Sequence, residues 1–376
     1  MHLDAFHAWC QAKSIQTSLV IRESDSGFRY TTLQPQSNGV IPPPFLTVNE
    51  DPFFLLRVPL SACMTATDSE SLVDRLAFEK SIGVASDFAP YIDTMPSLES
   101  FQMPRFWSTL RLESVTDGGQ LERELETDRP RYQQDPWSLA CVDSRCHFLP
   151  SGGYSLTPVL DMINHSPAVK TSLRIDREGG DENALCLGVS RQSLVFDSEP
   201  ETLTAPSSWM GRLFQKKQPS TDPIRSNEVT ISYGDFSNIH TLLNYGFVFP
   251  ENPSNSESLQ IRLIRRQSPV NLVVKADGSI EDDGLGRLRR AMASMEELEI
   301  IDLLPDNQRN PLLFVSTRNE EEVLALVAGE LQVAVEQSAE GSRLAKNDQL
   351  VSSYLGERSQ TLQRALHRIE SASLEY

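Results

Sequence analysis

The hydrophobic period of this 376-residue chain changes along its length, and that change limits the folds open to it. Beyond Pro250, apolar residues recur at steps of three and four. Leu285, Leu288, Met292, Met295 and Leu298 form one set; Val323, Val327, Leu331 and Val335 a second; Val351, Leu355, Leu362, Leu366 and Ile369 a third. Each set lays one apolar stripe down a helix. Thr317 followed by Glu320 reads as a capping box opening the middle helix. From about Leu3 to Pro59 the pattern is different: SLVIRES, DSGFRYTT and FFLLRVP alternate with turn residues, as strands do. The proline-rich IPPPF at Ile41 to Phe45 is barred from a regular ladder because proline has no N–H. Helical signal runs from Ser71 to about Arg131, with Leu72, Leu76 and Phe78 on a stripe, and strand-like sequence returns after Pro136. The expected class is α+β, a β-rich part interrupted by helices and followed by an all-α C-terminal part. Residues 197–227, rich in Pro, Ser and Thr, read as an exposed flexible loop.

Composition narrows the partners. Lys and Arg total 34 against 52 Asp and Glu, a formal charge of -18, and no basic patch is concentrated enough to hold a phosphate backbone. Nucleic acid is therefore not expected as a partner, whereas a lysine-bearing protein surface suits an acidic chain. No run approaches the roughly 18 apolar residues of a membrane span, and MHLDAFHAWCQAK lacks both a basic and an apolar signal region, so neither secretion nor a membrane anchor is expected. Five scattered cysteines (Cys10, Cys63, Cys141, Cys146 and Cys186) read as reduced thiols in a reducing compartment. Cys141, Cys146 and His147 lack a fourth ligand at zinc spacing, so buried thiols are favoured over a metal site.

Chemistry-bearing residues concentrate in two segments about seventy positions apart, YSLTPVLDMINHSP at Tyr154 to Pro167 and ISYGDFSNIHTLLNYGFVF at Ile231 to Phe249. Taken alone, Asp161, Asn164, His165 and Ser166 admit three readings. Asp161 and His165, four apart, admit two metal ligands; Ser166 beside His165 admits a hydrolase; and Asp161 with Asn164 before Pro167 admits an Asx-type turn. Spacing favours the turn, since no further metal ligand or G-x-S-x-G elbow accompanies them. Tyr233 and Tyr245 are, by the same standard, half-buried packing residues.

The ordered set resembles the SET-domain protein methyltransferases, in particular the Rubisco large-subunit methyltransferase and actin-histidine methyltransferase branch. D-x-x-N-H-S is matched by Asp161 to Ser166, the Y-G and YGF pair by Tyr233 and Tyr245, and the S-R pair by Ser144 and Arg145. The segment Phe78 to Ser108 is similar to that branch's helical insertion, with its "pY…LP" stretch. The family's glycine loop is represented by Gly27 and Arg29 alone. The resemblance spans about 230 residues, from Gly27 to Pro250.

This resemblance implies a β-rich SET catalytic domain over residues 1–255, with a helical insertion at about 70–131, and a helical substrate-binding domain over 256–376. It implies S-adenosylmethionine as cofactor, without a metal, held by Gly27, Arg29, Arg145, Asp161, Asn164 and His165. Tyr233 and Tyr245 become the catalytic tyrosines, walled by Phe247 and Phe249, while Glu228 is taken as structural. The implied acceptor is a lysine ε-amine on a non-histone protein, with a histidine nitrogen as the variant, in cytoplasm or nucleus with an organelle still open. An amine with a pKa of about 10.4 must lose its proton to attack, and a narrow apolar channel favours that. The rival from another class is an inactive SET-like docking module, which the reduced glycine loop favours and Asn164, His165 and Tyr233 oppose.

Overall fold

The structure is a computed structural model describing residues 3–23, 29–33, 53–167, 169, 171–176, 183–189, 228–263, 268–303 and 314–373. Gly27, the proline-rich run at 41–45 and the loop expected at 197–227 lie outside the described residues. In chain order the first elements are α1 (Leu3–Ala12), β1 (Gln16–Thr17), β2 (Leu19–Glu23), β3 (Arg29–Leu33), β4 (Phe53–Pro59), β5 (Met64–Ala66) and α2 (Ser69–Ser81). There follow α3 (Ala89–Ile92), α4 (Thr109–Glu113), α5 (Gln120–Asp128), α6 (Pro136–Arg145), β6 (Cys146–Phe148), β7 (Tyr154–Leu156), β8 (Asn164–His165), β9 (Thr171–Asp176), β10 (Ala184–Val189) and β11 (Glu228–Ile231). The last are α7 (Asn238–Tyr245), β12 (Ser256–Ile261), β13 (Val270–Lys275), α8 (Asp282–Met292), α9 (Met295–Leu303), α10 (Thr317–Leu344) and α11 (Gln349–Ser373).

These elements pack as two compact units, one of residues 1–101 with 128–235, the other of 102–127 with 236–376. The first unit carries three small sheets, ordered β1-β4-β10-β9, β2-β3-β11-β8 and β5-β7-β6. Its core joins Leu55, Leu56 and Val58 of β4, Leu72 and Leu76 of α2, and Leu139 and Val142 of α6. The second unit holds the β12-β13 hairpin against α8, α10 and α11, and a separate cluster in which Leu242 of α7 meets Tyr354 and Leu355 of α11.

Several local expectations change. The first element is a helix: α1 buries Phe6, Trp9 and Cys10, an i, i+3, i+4 set that the neighbouring strand signals obscured. The chain after Pro136 is also helical, with Asp135 accepting from the Ser138 N–H and Pro136 occupying the first turn, where its missing N–H costs nothing. Phe78 leaves the Leu72–Leu76 stripe and is 62% exposed, because it sits two residues beyond Leu76 and so on the opposite side of α2. The stripe through Met295 breaks after Met292: Ser294 and Glu297 form a reciprocal capping box that opens α9, leaving Met295 74% exposed. The helix α10 starts one residue earlier than Thr317 implied, with Ser316 Oγ accepting from the Asn319 N–H at 3.0 Å. Glu320 turns instead to Arg289, in two contacts of 2.6 and 2.7 Å. The stripes of α10 and α11 are buried as their spacing requires.

Candidate functional site

The two motif segments meet in one sheet of the first unit. Strand β8 lies parallel to β11, with Asn164 opposite Thr230 and His165 opposite Ile231, and the Ser166 N–H extends the ladder to the Ile231 carbonyl at 2.8 Å. Strand β3 flanks β11 on the other side, antiparallel, with Thr31 opposite Val229. The chain leaving β11 therefore delivers Tyr233 against His165. Their rings are 5.0 Å apart, and the Tyr233 N–H donates to His165 Nδ1 at 3.0 Å. Burial pushes His165 down to about 4, while a hydrogen bond to the Ile231 carbonyl acts in the opposite sense. A neutral imidazole that accepts at Nδ1 carries its proton on Nε2. The Tyr233 hydroxyl donates to the Ile163 carbonyl at 2.7 Å. Burial raises its pKa, so Tyr233 is a neutral phenol whose proton is committed and whose oxygen acts as an acceptor.

Asn164 ties the sheet together: its Nδ2 donates to the Arg29 carbonyl at 3.1 Å and to Glu228 Oε1 at 2.7 Å. Arg29 is also spoken for, with Nη1 on the Thr94 carbonyl and Nε 3.6 Å from Glu23. Burial lowers the Arg29 pKa, with Glu23 opposing.

Behind this sheet the chain bends sharply to bring in Asp161. Val159 takes φ 70° and ψ −44°, a conformation that a β-branched residue rarely adopts and that costs on the order of 1–3 kcal/mol. It introduces a 3₁₀ turn, Leu160–Met162, whose Asp161 side chain is fully buried. Asp161 Oδ2 accepts from the Tyr91 hydroxyl at 2.8 Å and from Arg145 Nη1 at 3.5 Å, and Arg145 Nη1 also donates to the Asp161 carbonyl at 2.9 Å. Burial pushes the Asp161 carboxyl above its ordinary value, while Arg145 and Tyr91 pull it down. Burial also works against the Arg145 charge, and Asp161 beside it leads the contributions that leave the guanidinium above its ordinary value. Among the described residues, Asp161 Oδ1 and Arg145 Nε are buried without a hydrogen-bond partner. A buried polar atom left unmade in this way costs about 1–3 kcal/mol.

Five of the expected site residues thus come together: Arg145, Asp161, Asn164, His165 and Tyr233, with Arg29 joined to them through its carbonyl. Tyr245 belongs to the second unit, where it ends α7 with its ring 5.7 Å from Phe247 and 6.3 Å from both Phe236 and His240. Gly246 follows at φ 74°, and a Cβ there would meet Gln102 and Met103 at 2.8–3.0 Å, so both conformation and space require glycine. Sequence reasoning assigned no role to Tyr91, although it stands in the APY stretch that carried the resemblance. Stacked against Trp9 and Phe6, it holds Asp161 from the helical side. Among the described residues, no group of three or more His, Cys, Asp or Glu is placed to hold a metal ion, and no helix is long and apolar enough to cross a membrane.

No protein-family model and no curated protein sequence matches the chain. Solved structures do. The crystal structure of the SET domain of LSMT bound to MeLysine and AdoHcy matches at TM-score 0.67 and 16% identity, over 99% of this chain and 92% of that one. The same domain bound to Lysine and AdoHcy matches at TM-score 0.68 and 17% identity, over 99% and 91%. The structure of Rubisco LSMT bound to AdoMet matches at TM-score 0.64 and 17% identity, over 99% and 92%. The chain has the fold of these SET-domain structures.

Proposed function

We propose that the chain is an S-adenosylmethionine-dependent protein methyltransferase whose acceptor is a lysine ε-amine. The observation that carries this reading is the parallel pairing of β8 with β11, which sets Asn164 and His165 beside the strand that delivers Tyr233. The fold supports it, since the LSMT structures of similar fold hold AdoMet or AdoHcy, and two of them a lysine or methyllysine. So do the unspent Asp161 Oδ1 and Arg145 Nε, one an acceptor suited to an ammonium and the other a donor suited to a carboxylate, the two charged groups of the cofactor's amino-acid end.

In this reading Arg145, Asp161, Asn164 and His165 hold the cofactor, with Gly27 and Arg29 on its glycine-loop side. Bound there, S-adenosylmethionine supplies a methyl group on a positively charged sulfur. Tyr233, its proton engaged by the Ile163 carbonyl, presents an oxygen that accepts from the acceptor amine and aligns its lone pair. With S-adenosylmethionine bound, an acceptor nitrogen entering as the free amine would take the methyl group, the C–S electron pair staying on sulfur and the extra N–H proton passing to water. Tyr245, among Phe236, His240 and Phe247, is assigned to the acceptor side, residues 1–255 to catalysis and 256–376 to substrate binding. A protein presenting a lysine is the partner. The described cysteines are all free thiols, which agrees with the expected intracellular setting, in cytoplasm or nucleus with an organelle still open.

Transfer of a labelled methyl group to candidate acceptor proteins tests the reading. Tyr233→Phe is expected to lower turnover by about tenfold or more while leaving cofactor affinity within a factor of about two. Normal turnover by that variant would remove the role given to Tyr233.

A further inference from the structure

A buried chain of polar side chains runs from the last helix to the turn that carries Tyr245. Arg358 of α11 is 1% exposed, and its Nη1 donates to Glu257 Oε2 at 2.7 Å and to Gln120 Oε1 at 2.5 Å. The other oxygen of Glu257 accepts from Asn255 Nδ2 at 3.1 Å, and that nitrogen also donates to Thr361 Oγ1 at 3.1 Å. Asn255 is thereby oriented with Oδ1 toward the first turn of α7, where it accepts from the Asn238 N–H at 2.9 Å. This supplies a cap that Ser237, the N-cap residue, does not give from its own side chain among the described residues.

Asn238 passes the constraint on. Its Oδ1 accepts from the Phe249 N–H at 3.1 Å and its Nδ2 donates to the Phe249 carbonyl at 3.0 Å, clamping the end of the Tyr245–Phe249 turn to the start of α7. Asn252 Nδ2 bonds both Asn238 Oδ1, at 3.1 Å, and the Phe236 carbonyl, at 2.8 Å. The rings framing Tyr245 belong to Phe236, His240 and Phe247, and this chain grips the backbone at Phe236 and at Phe249, two residues past Phe247. A buried ion pair adds little stability over well-packed apolar side chains, so its orienting effect is the property that distinguishes it here. A leucine at 257 would fill space but would remove one of the two acceptors that orient the Asn255 amide, leaving Thr361 Oγ1 as its partner.

We propose that Arg358 is a positioning residue for Tyr245, acting through Glu257, Asn255 and Asn238. The inference deepens the methyltransferase reading, on which the catalytic meaning of Tyr245 rests. It makes α11 part of the apparatus that sets the acceptor-side tyrosine as well as a packing helix.

The test uses the full chain with 3-fluorotyrosine placed at position 245, read by fluorine NMR, together with amide exchange at Asn238 and Phe249. Two variants are compared with the parent: Asn255→Ala, which leaves the ion pair intact, and Arg358→Met with Glu257→Leu, which replaces it by apolar side chains. Both are expected to move or broaden the Tyr245 resonance and to speed exchange at the two amides by about tenfold or more, with exchange at Val323 to Leu331 unchanged. Arg358→Lys, which keeps a buried donor for Glu257, is expected to retain most of the parent signal. If Asn255→Ala gives the parent resonance and exchange, the proposal is overturned, whether or not the double variant folds. A folded double variant with the parent signal also overturns it. Titration of the parent with S-adenosylmethionine is run separately. Absence of binding there would defeat the methyltransferase reading and leave the fluorine and exchange results to decide the positioning role.

Discussion

Two buried arginine–carboxylate pairs in this molecule are built to different standards. Arg358 and Glu257 meet at 2.7 Å, with side chains 2% and 0% exposed, and both Glu257 oxygens accept hydrogen bonds. Arg145 and Asp161 stand 3.5 Å apart, with the arginine side chain 18% exposed and Asp161 Oδ1 unpartnered among the described residues. Among the described residues the Nε atoms of both arginines lack a partner, so the guanidinium groups do not separate the two sites; the carboxylates do. A saturated carboxylate is finished by the fold itself. An unsaturated one, kept buried beside a strained Val159 and held by Tyr91, has capacity left for a ligand.

Removing the arginines should expose this difference. Arg358→Met leaves Glu257 buried and uncompensated and is expected to destabilise by about 3–5 kcal/mol in urea unfolding. Arg145→Met should cost less, about 1–3 kcal/mol, because the pair is looser, Tyr91 still donates to Asp161, and burial already favours the protonated carboxyl. Equal losses would break the distinction.

Ligand addition sharpens it from the other side. S-adenosylmethionine at about one hundred times its Kd should raise unfolding free energy by about 2.7 kcal/mol in the parent and in Asn255→Ala, but by much less in Asp161→Asn. Asn164→Ala should both lose this stabilisation and cost about 1–2 kcal/mol without ligand, because Nδ2 ties β8 to Arg29 and Glu228.

The smallest expected effect is in pH dependence. His165 has a folded value of about 4 against an ordinary 6.5, so the unfolded chain takes up its proton first as pH falls. The stability it contributes is complete above pH 6.5 and is lost between 6.5 and 4. His147, also pushed down to about 4 by burial, acts in the same window, so the share of His165 is the part of the slope that His165→Gln removes. An unchanged slope in that variant would mean that the imidazole accepting from Tyr233 is not held neutral by the fold.

How much of this was legible in the sequence depends on the range of the interaction. The stripes of α10 and α11 repeat every three or four residues, and their burial followed directly from that spacing. The resemblance named Asn164, His165 and Tyr233, which the structure brings together, the first two in β8 and Tyr233 just past the end of its neighbour β11. The helix α1 was missed because Phe6, Trp9 and Cys10 form too short a set to stand out ahead of a strand-rich stretch. The helix α6 was missed because its residues are buried almost all round, which erases the periodicity that marks a helix. Tyr91 and Arg358 were hidden for another reason. Their partners lie 70 and 101 positions away in sequence, Asp161 for one and Glu257 for the other, and no local pattern announces such a pairing.

The most direct test of the central claim is a calorimetric titration of the folded chain with S-adenosylmethionine and S-adenosylhomocysteine, with Asn164→Ala and Asp161→Asn alongside. The account predicts saturable one-to-one binding by the parent that weakens by about tenfold or more in both variants. Absence of binding by the folded parent, or binding that both variants retain in full, would contradict it and shift the weight to a SET-like module that docks a protein without transferring a methyl group.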